Sequence, residues 1–189
     1  MKKALIAFCS LMVAVGAFAQ GAVNFAGRVV GVYDAPVSVG AGKASGTDYL
    51  VQLYAGATST SLASVGAAVP FRTGVAAGYW TGAARTIPAG QTDANGTSQV
   101  QVRAWTVAAG ATYEAALGSK GGFGFSNIIG VKGNLPPDVP ANLVGLTAFS
   151  ISAIGGAGPG TGPGTDTPEP STLALGAIGG LALLLRRRK

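Results

Sequence analysis

The sequence predicts an all-β protein: an antiparallel β-sandwich, immunoglobulin-like or jelly-roll-like, flanked by an N-terminal signal helix and a C-terminal transmembrane helix. Three observations carry that prediction. Between the chain ends, apolar residues alternate with polar ones at period two, the spacing of a half-buried strand. Gly, Pro, Ser and Asn interrupt the alternation at short intervals, as turns between strands do. No segment between the ends sustains helical periodicity.

Taken in order, the chain opens with Met1-Lys2-Lys3, a positive lead into an apolar stretch over residues 4–15. Ala17-Phe18-Ala19 follows with the small-x-small pattern that signal peptidase cleaves. Residues 1–19 are therefore expected to be a signal peptide, with Ala17 and Ala19 at the cleavage site and Gln20 as the new N-terminus. Cys9 lies inside the apolar stretch, which argues against a lipoprotein.

The strands come next, in a domain expected over residues 20–154. Val23, Phe25 and Val29 fall on one face, with Asn24 and Arg28 on the other. Tyr49, Val51 and Leu53 alternate against Leu50, Gln52 and Tyr54. Val100, Val102 and Ala104 point inward from the clearest amphipathic strand, opposite Gln101 and Arg103. Residues 104–117 are read as the end of a strand, a turn at Gly110 and another short strand. Phe123, Phe125, Ile129 and Val131 share one parity, and residues 143–151 form a last apolar run of strand length. Gly74, Gly78, Gly82, Gly90 and Asn95-Gly96 are the expected turns or bulges. Residues 155–167 are rich in Gly, Pro and Thr, a composition that buries no apolar surface and reads as a flexible linker.

Charge and composition exclude whole classes of chemistry. The chain carries a net charge of +6, but much of it sits at the ends. From residue 20 to 167 the cations are Arg28, Lys43, Arg72, Arg85, Arg103, Lys120 and Lys132. The anions there are Asp34, Asp48, Asp93, Glu114, Asp138 and Asp166, a balance of about +1. No basic patch survives, so nucleic acid is not an expected partner. The single cysteine leaves with the signal peptide, and the chain has no histidine. Disulfides, thiol nucleophiles, Ser-His-Asp triads and His-based metal sites are excluded. No catalytic residue, metal or cofactor is expected.

What remains is weak. Paired carboxylates could hydrolyse a glycosidic bond, but acids scattered one per loop read as solvated turn residues. Asp93-Ala94-Asn95-Gly96 lacks the further ligands of a calcium loop and reads as a tight turn. The Gly-Lys pair at Gly42-Lys43 lacks the other residues of a phosphate loop. Trp80 and Trp105 are the remaining lead. Trp105 shares the polar parity of Gln101 and Arg103, and an exposed indole stacks well on a sugar ring. The alternative to a non-catalytic protein is thus a carbohydrate-binding module with these two rings as its platform.

The C-terminus is the most specific segment. Pro168-Glu169-Pro170 precedes an apolar stretch over residues 171–185, broken by Gly176, Gly179 and Gly180. Arg186, Arg187, Arg188 and Lys189 end the chain as a membrane stop. As a helix, residues 171–185 reach about 22 Å, short for a hydrocarbon core of about 30 Å. The cations favour the cytoplasmic side, leaving the domain outside. This order resembles the PEP-CTERM sorting signal of proteins exported by exopolysaccharide-producing Gram-negative bacteria. The resemblance implies that exosortase, a membrane-embedded cysteine transpeptidase, recognises Pro168, Glu169 and Pro170 and removes the helix.

Pieces of the domain also resemble a loose group of PEP-CTERM precursors of Verrucomicrobia-like bacteria. They are Tyr49-Leu50-Val51-Gln52-Leu53-Tyr54-Ala55-Gly56, Pro70-Phe71-Arg72-Thr73-Gly74, Val100-Gln101-Val102-Arg103-Ala104-Trp105 and Ala141-Asn142-Leu143-Val144-Gly145-Leu146. That group brings a β fold and no activity. The resemblances together imply export through the inner membrane, transient anchoring there, and delivery to the cell surface or extracellular matrix. The implied partners are signal peptidase, exosortase and the inner membrane, with exopolysaccharide as a further candidate.

Overall fold

A computed structural model describes residues 21–135 and 137–152. The expected signal peptide, linker and sorting tail lie outside the described residues. Within them the chain is all-β with one short α-helix. The strands begin with β1 (Ala22–Phe25), β2 (Arg28–Val29), β3 (Tyr33–Asp34), β4 (Val37–Val39), β5 (Gly42–Lys43), β6 (Tyr49–Gly56) and β7 (Ala63–Pro70). They continue with β8 (Ala83–Thr86), β9 (Thr97–Thr106), the helix α1 (Tyr113–Gly118), β10 (Phe123–Phe125) and β11 (Ile129–Lys132). Two short late strands, β12 (Ala141–Asn142) and β13 (Phe149–Ile151), complete it.

The largest sheet runs β10-β9-β6-β7, with β11 also paired to β9. Beside it stand a sheet ordered β12-β1-β8, another ordered β13-β4-β5, and the β2-β3 hairpin. The sequence leads one to expect antiparallel pairing throughout; the structure corrects this. β12 runs parallel to β1 and β13 parallel to β4. Parallel neighbours need a long crossover, and more than a hundred residues separate each early strand from its late partner.

One apolar core is shared by all three sheets. It takes Val23 and Phe25 from β1, Val37 from β4, Val51 and Leu53 from β6, Val100 and Val102 from β9, and Phe149 and Ile151 from β13. The alternation read for β6 and β9 therefore holds, because one face of each meets this core. Gly74, Gly78 and Gly96 sit at positive φ, as turn residues do, whereas Gly82 and Gly90 do not. Gly40 and Ala41 make the two-residue turn between β4 and β5, so the Gly-Lys pair belongs to a hairpin.

Two further expectations are corrected. The first concerns residues 104–117. β9 continues to Thr106, and after Gly110 the chain forms helix α1 rather than a strand. Thr112 caps it, its hydroxyl accepting from the Ala115 amide at 3.2 Å. Glu114 stands in the first turn, where a negative charge complements the exposed N–H groups. The second concerns the shared parity of residues 123–131. Phe123 pairs with Trp105, but Ile129 pairs with Val100, so the register against β9 slips by one residue between β10 and β11. A one-residue slip moves every side chain to the opposite face. Phe123 thus leaves the shared core, while Val131 enters it. Ser126 makes the slip, its hydroxyl accepting from the Val102 amide at 2.9 Å. The last apolar run, residues 143–151, is strand only at its C-terminal end, β13; Gly145, at φ 90°, turns the chain between β12 and β13.

Candidate functional site

The two tryptophans stand far from the roles a platform requires. Trp105 is 1% exposed and Trp80 3%. Trp80 forms an antiparallel bridge with Phe71, with its indole N–H donating to the Phe25 carbonyl at 3.2 Å. Its ring meets Phe25 at 5.2 Å and Phe71 edge-on at 6.0 Å. Trp105 does fall on the parity of Gln101 and Arg103, but that face is covered. Helix α1 lies over it, and Tyr54, Trp105, Tyr113, Ala116 and Phe123 form a second buried cluster there. The Trp105 indole donates to the Gly110 carbonyl at 3.1 Å. The expectation of an exposed glycan platform is corrected: neither ring face is open to a sugar.

The polar part of this second face is an ordered network. Arg103 lies against both Tyr54 and Tyr113, 4.2 Å and 5.0 Å from their centroids, in the angle between two rings that meet edge-on at 6.0 Å. The Tyr54 hydroxyl donates to Glu114 Oε1 at 2.7 Å, and Arg103 Nη1 lies 3.9 Å from the same oxygen. Burial raises the Tyr54 pKa above its ordinary value, and the bond to Glu114 adds to the rise. Burial also raises Tyr113, against a lowering by Arg103. Both phenols are thereby kept protonated; the network fastens a helix to a sheet.

Two further acids, Asp34 and Asp93, are also committed to structure. Asp34 accepts from the Tyr79 hydroxyl at 2.6 Å and lies 3.8 Å from Arg28 Nε. That bond is the main cause of the raised Tyr79 pKa. Asp93 accepts from the amides of Asn95 and Thr97, both at 2.8 Å, which closes the expected tight turn. Among the described residues no three of Asp, Glu, Cys and His gather as a metal site would need. Nor is any described helix long and apolar enough to cross a membrane; residues 171–185 lie outside them.

The specific functional signal of this chain is a linear segment outside the described residues. Residues 166–189 match the PEP-CTERM protein-sorting motif. No curated protein and no solved structure matches the chain. The PEP-CTERM match takes in Pro168, Glu169 and Pro170 and extends through Arg186, Arg187, Arg188 and Lys189. It starts two residues before the tripeptide, so Asp166 and Thr167 belong to it as well. It implies export and processing by exosortase. The tripeptide and the basic end lie outside the described residues, as do the cleavage residues Ala17, Ala19 and Gln20. What the sequence reading missed is helix α1, and with it the cover over Trp105. The only local signal was Thr112 three residues before an Ala-rich stretch, a weak helix start.

Proposed function

We propose that this is an exported, non-catalytic protein of the cell surface or extracellular matrix. It crosses the inner membrane by its signal peptide and is held there transiently by residues 171–185. Exosortase then acts at Pro168, Glu169 and Pro170. The single observation that carries this reading is the match of residues 166–189 to the PEP-CTERM protein-sorting motif. The sequence supports it from the other end, where Met1-Lys2-Lys3 and Ala17-Phe18-Ala19 frame a signal peptide. The host is a Gram-negative, exopolysaccharide-producing bacterium, of Verrucomicrobia-like type. The mature domain, residues 20–154, is a β-sandwich whose sheets enclose one shared core, a reading supported by strands of three sheets burying residues together. It acts as a cargo or matrix component, a reading supported by the burial of both tryptophans and of Tyr54 and Tyr113 in the packing of the domain.

Replacing Pro168, Glu169 and Pro170 together with alanine tests the reading. Export should persist, with the full-length chain accumulating in the inner membrane, seen by fractionation and by the unprocessed mass. A variant that still loses residues 171–189 and reaches the surface would overturn it.

A further inference from the structure

We propose that Asn95 is a site of spontaneous deamidation in the folded protein, converting to aspartate and isoaspartate. Asn95-Gly96 is the one Asn-Gly pair in the chain, and the other four asparagines, Asn24, Asn127, Asn134 and Asn142, precede Phe25, Ile128, Leu135 and Leu143. Their side chains are also held. Asn24 donates to Asn142 Oδ1 at 3.0 Å, Asn127 to the Gly145 carbonyl at 2.8 Å, and Asn134 to the Val139 carbonyl at 2.7 Å. Asn95 differs on both counts. It is exposed, its side-chain amide makes no hydrogen bond among the described residues, and the next residue has no Cβ to hinder its nitrogen.

The reaction needs only water. The Gly96 backbone nitrogen gives up its proton and attacks Asn95 Cγ, and the Cγ–Nδ2 bond breaks to release ammonia. The resulting five-membered succinimide then takes up one water at either carbonyl. Opening at one yields aspartate; opening at the other yields isoaspartate, with one extra backbone atom in the turn. The new carboxylate arises beside Asp93 and within reach of Lys132, whose Cε lies 3.9 Å from where a Cβ on Gly96 would stand.

The turn throttles this step. The Gly96 amide donates to the Asp93 carbonyl at 3.0 Å, and Asp93 Oδ1 holds the Asn95 and Thr97 amides. Attack requires release of that turn bond, which local opening of an exposed loop allows. Asp93→Ala removes the side-chain clamp, so deamidation should accelerate roughly 3- to 10-fold. Because the attacking nitrogen must lose a proton, the rate should also rise with pH.

The test is peptide mapping by mass spectrometry of the full folded chain, incubated in mildly alkaline buffer, with isoaspartate detected by enzymatic methyl transfer. The expected result is ammonia loss with water gain on the peptide holding Asn95, well ahead of the other four asparagines, and faster in Asp93→Ala. Wild-type chain that stays intact at Asn95, under conditions that convert it in the urea-unfolded chain, overturns the proposal. So does modification spread evenly over all five asparagines.

Discussion

The guanidinium of Arg103 lies 4.2 Å from the centroid of the Tyr54 ring. The Tyr113 centroid is 5.0 Å away and the two rings meet edge-on at 6.0 Å, so one cation on β9 packs into the corner formed by a ring from β6 and a ring from α1. Gln101 Oε1 accepts from Arg103 Nε at 2.8 Å, and Gln101 Nε2 donates to the Ser126 carbonyl at 3.0 Å. The network therefore runs from the helix to the point where β10 gives way to β11. An exposed ion pair contributes little, but the Arg103 side chain is only 21% exposed, and partial desolvation strengthens its attraction to the rings.

Arg103→Ala should destabilise the fold by about 1–3 kcal/mol, combining the lost stacking with the lost packing of the aliphatic stem. Arg103→Lys should recover only part of this, because an ammonium supplies neither the flat stack nor the Nε donor to Gln101. Urea unfolding of the three proteins measures the difference. A loss below about 0.5 kcal/mol for the alanine variant would mean the network is ornamental.

Trp105→Ala should cost about 3–5 kcal/mol, the range for emptying a large buried aromatic site. Trp80→Phe should cost less, roughly 1–2 kcal/mol, from losing the bond to the Phe25 carbonyl while keeping most of the volume. Both appear as lowered denaturation midpoints. A Trp105→Ala protein as stable as wild type would mean that the ring does not lie in the second cluster.

These two residues mark the limit of what the sequence could tell. The inward faces of β6 and β9 were legible because Val51, Leu53, Val100 and Val102 alternate strictly and meet the shared core. The opposite face was not, because Gln101 and Arg103 read as solvent-facing, and the element covering them is only six residues long. That is under two helical turns, too few for a periodic pattern to register. The slip at Ser126 and the parallel partners β12 and β13 are set by contacts far apart in sequence, which local alternation does not encode. The sorting tail was legible for the opposite reason: it is a linear segment whose residue order alone carries the match.

Alkaline conditions should weaken the fold through its tyrosines. The Tyr33 hydroxyl donates to the Ala26 carbonyl at 2.7 Å, and burial pushes its pKa from 10.0 up to about 12, despite a lowering contact with the Leu143 backbone. Tyr54 is raised as well, by burial and then by Glu114. A raised folded value means the neutral phenol is the form that folding favours. The stability this confers is complete below the unfolded value of 10.0 and is lost as pH rises through the folded value of about 12. Urea midpoints measured across that window should fall, with tyrosinate absorbance appearing late in the folded protein. Tyr33→Phe should make the fall shallower; an unchanged slope would remove Tyr33 from the account.

Gly124 sets how closely β10 approaches β13. A Cβ there would come 2.1 Å from the Ser150 carbonyl oxygen and 3.2 Å from Ile151 Cα, both backbone atoms that no rotamer change can move aside. The two strands also meet at the Phe123–Ser152 bridge, through hydrogen bonds of 3.1 and 3.0 Å. Gly124→Ala must therefore push β13 away or break that bridge, and overpacking of this kind costs about 1–3 kcal/mol or more. Gly90→Ala is the matched control, since a Cβ there meets nothing within 4 Å and its φ is ordinary. It should be neutral or slightly stabilising, because alanine has less unfolded-state entropy to lose. Thermal melts should separate the two variants clearly, and equal midpoints would show that β10 and β13 do not pack this closely.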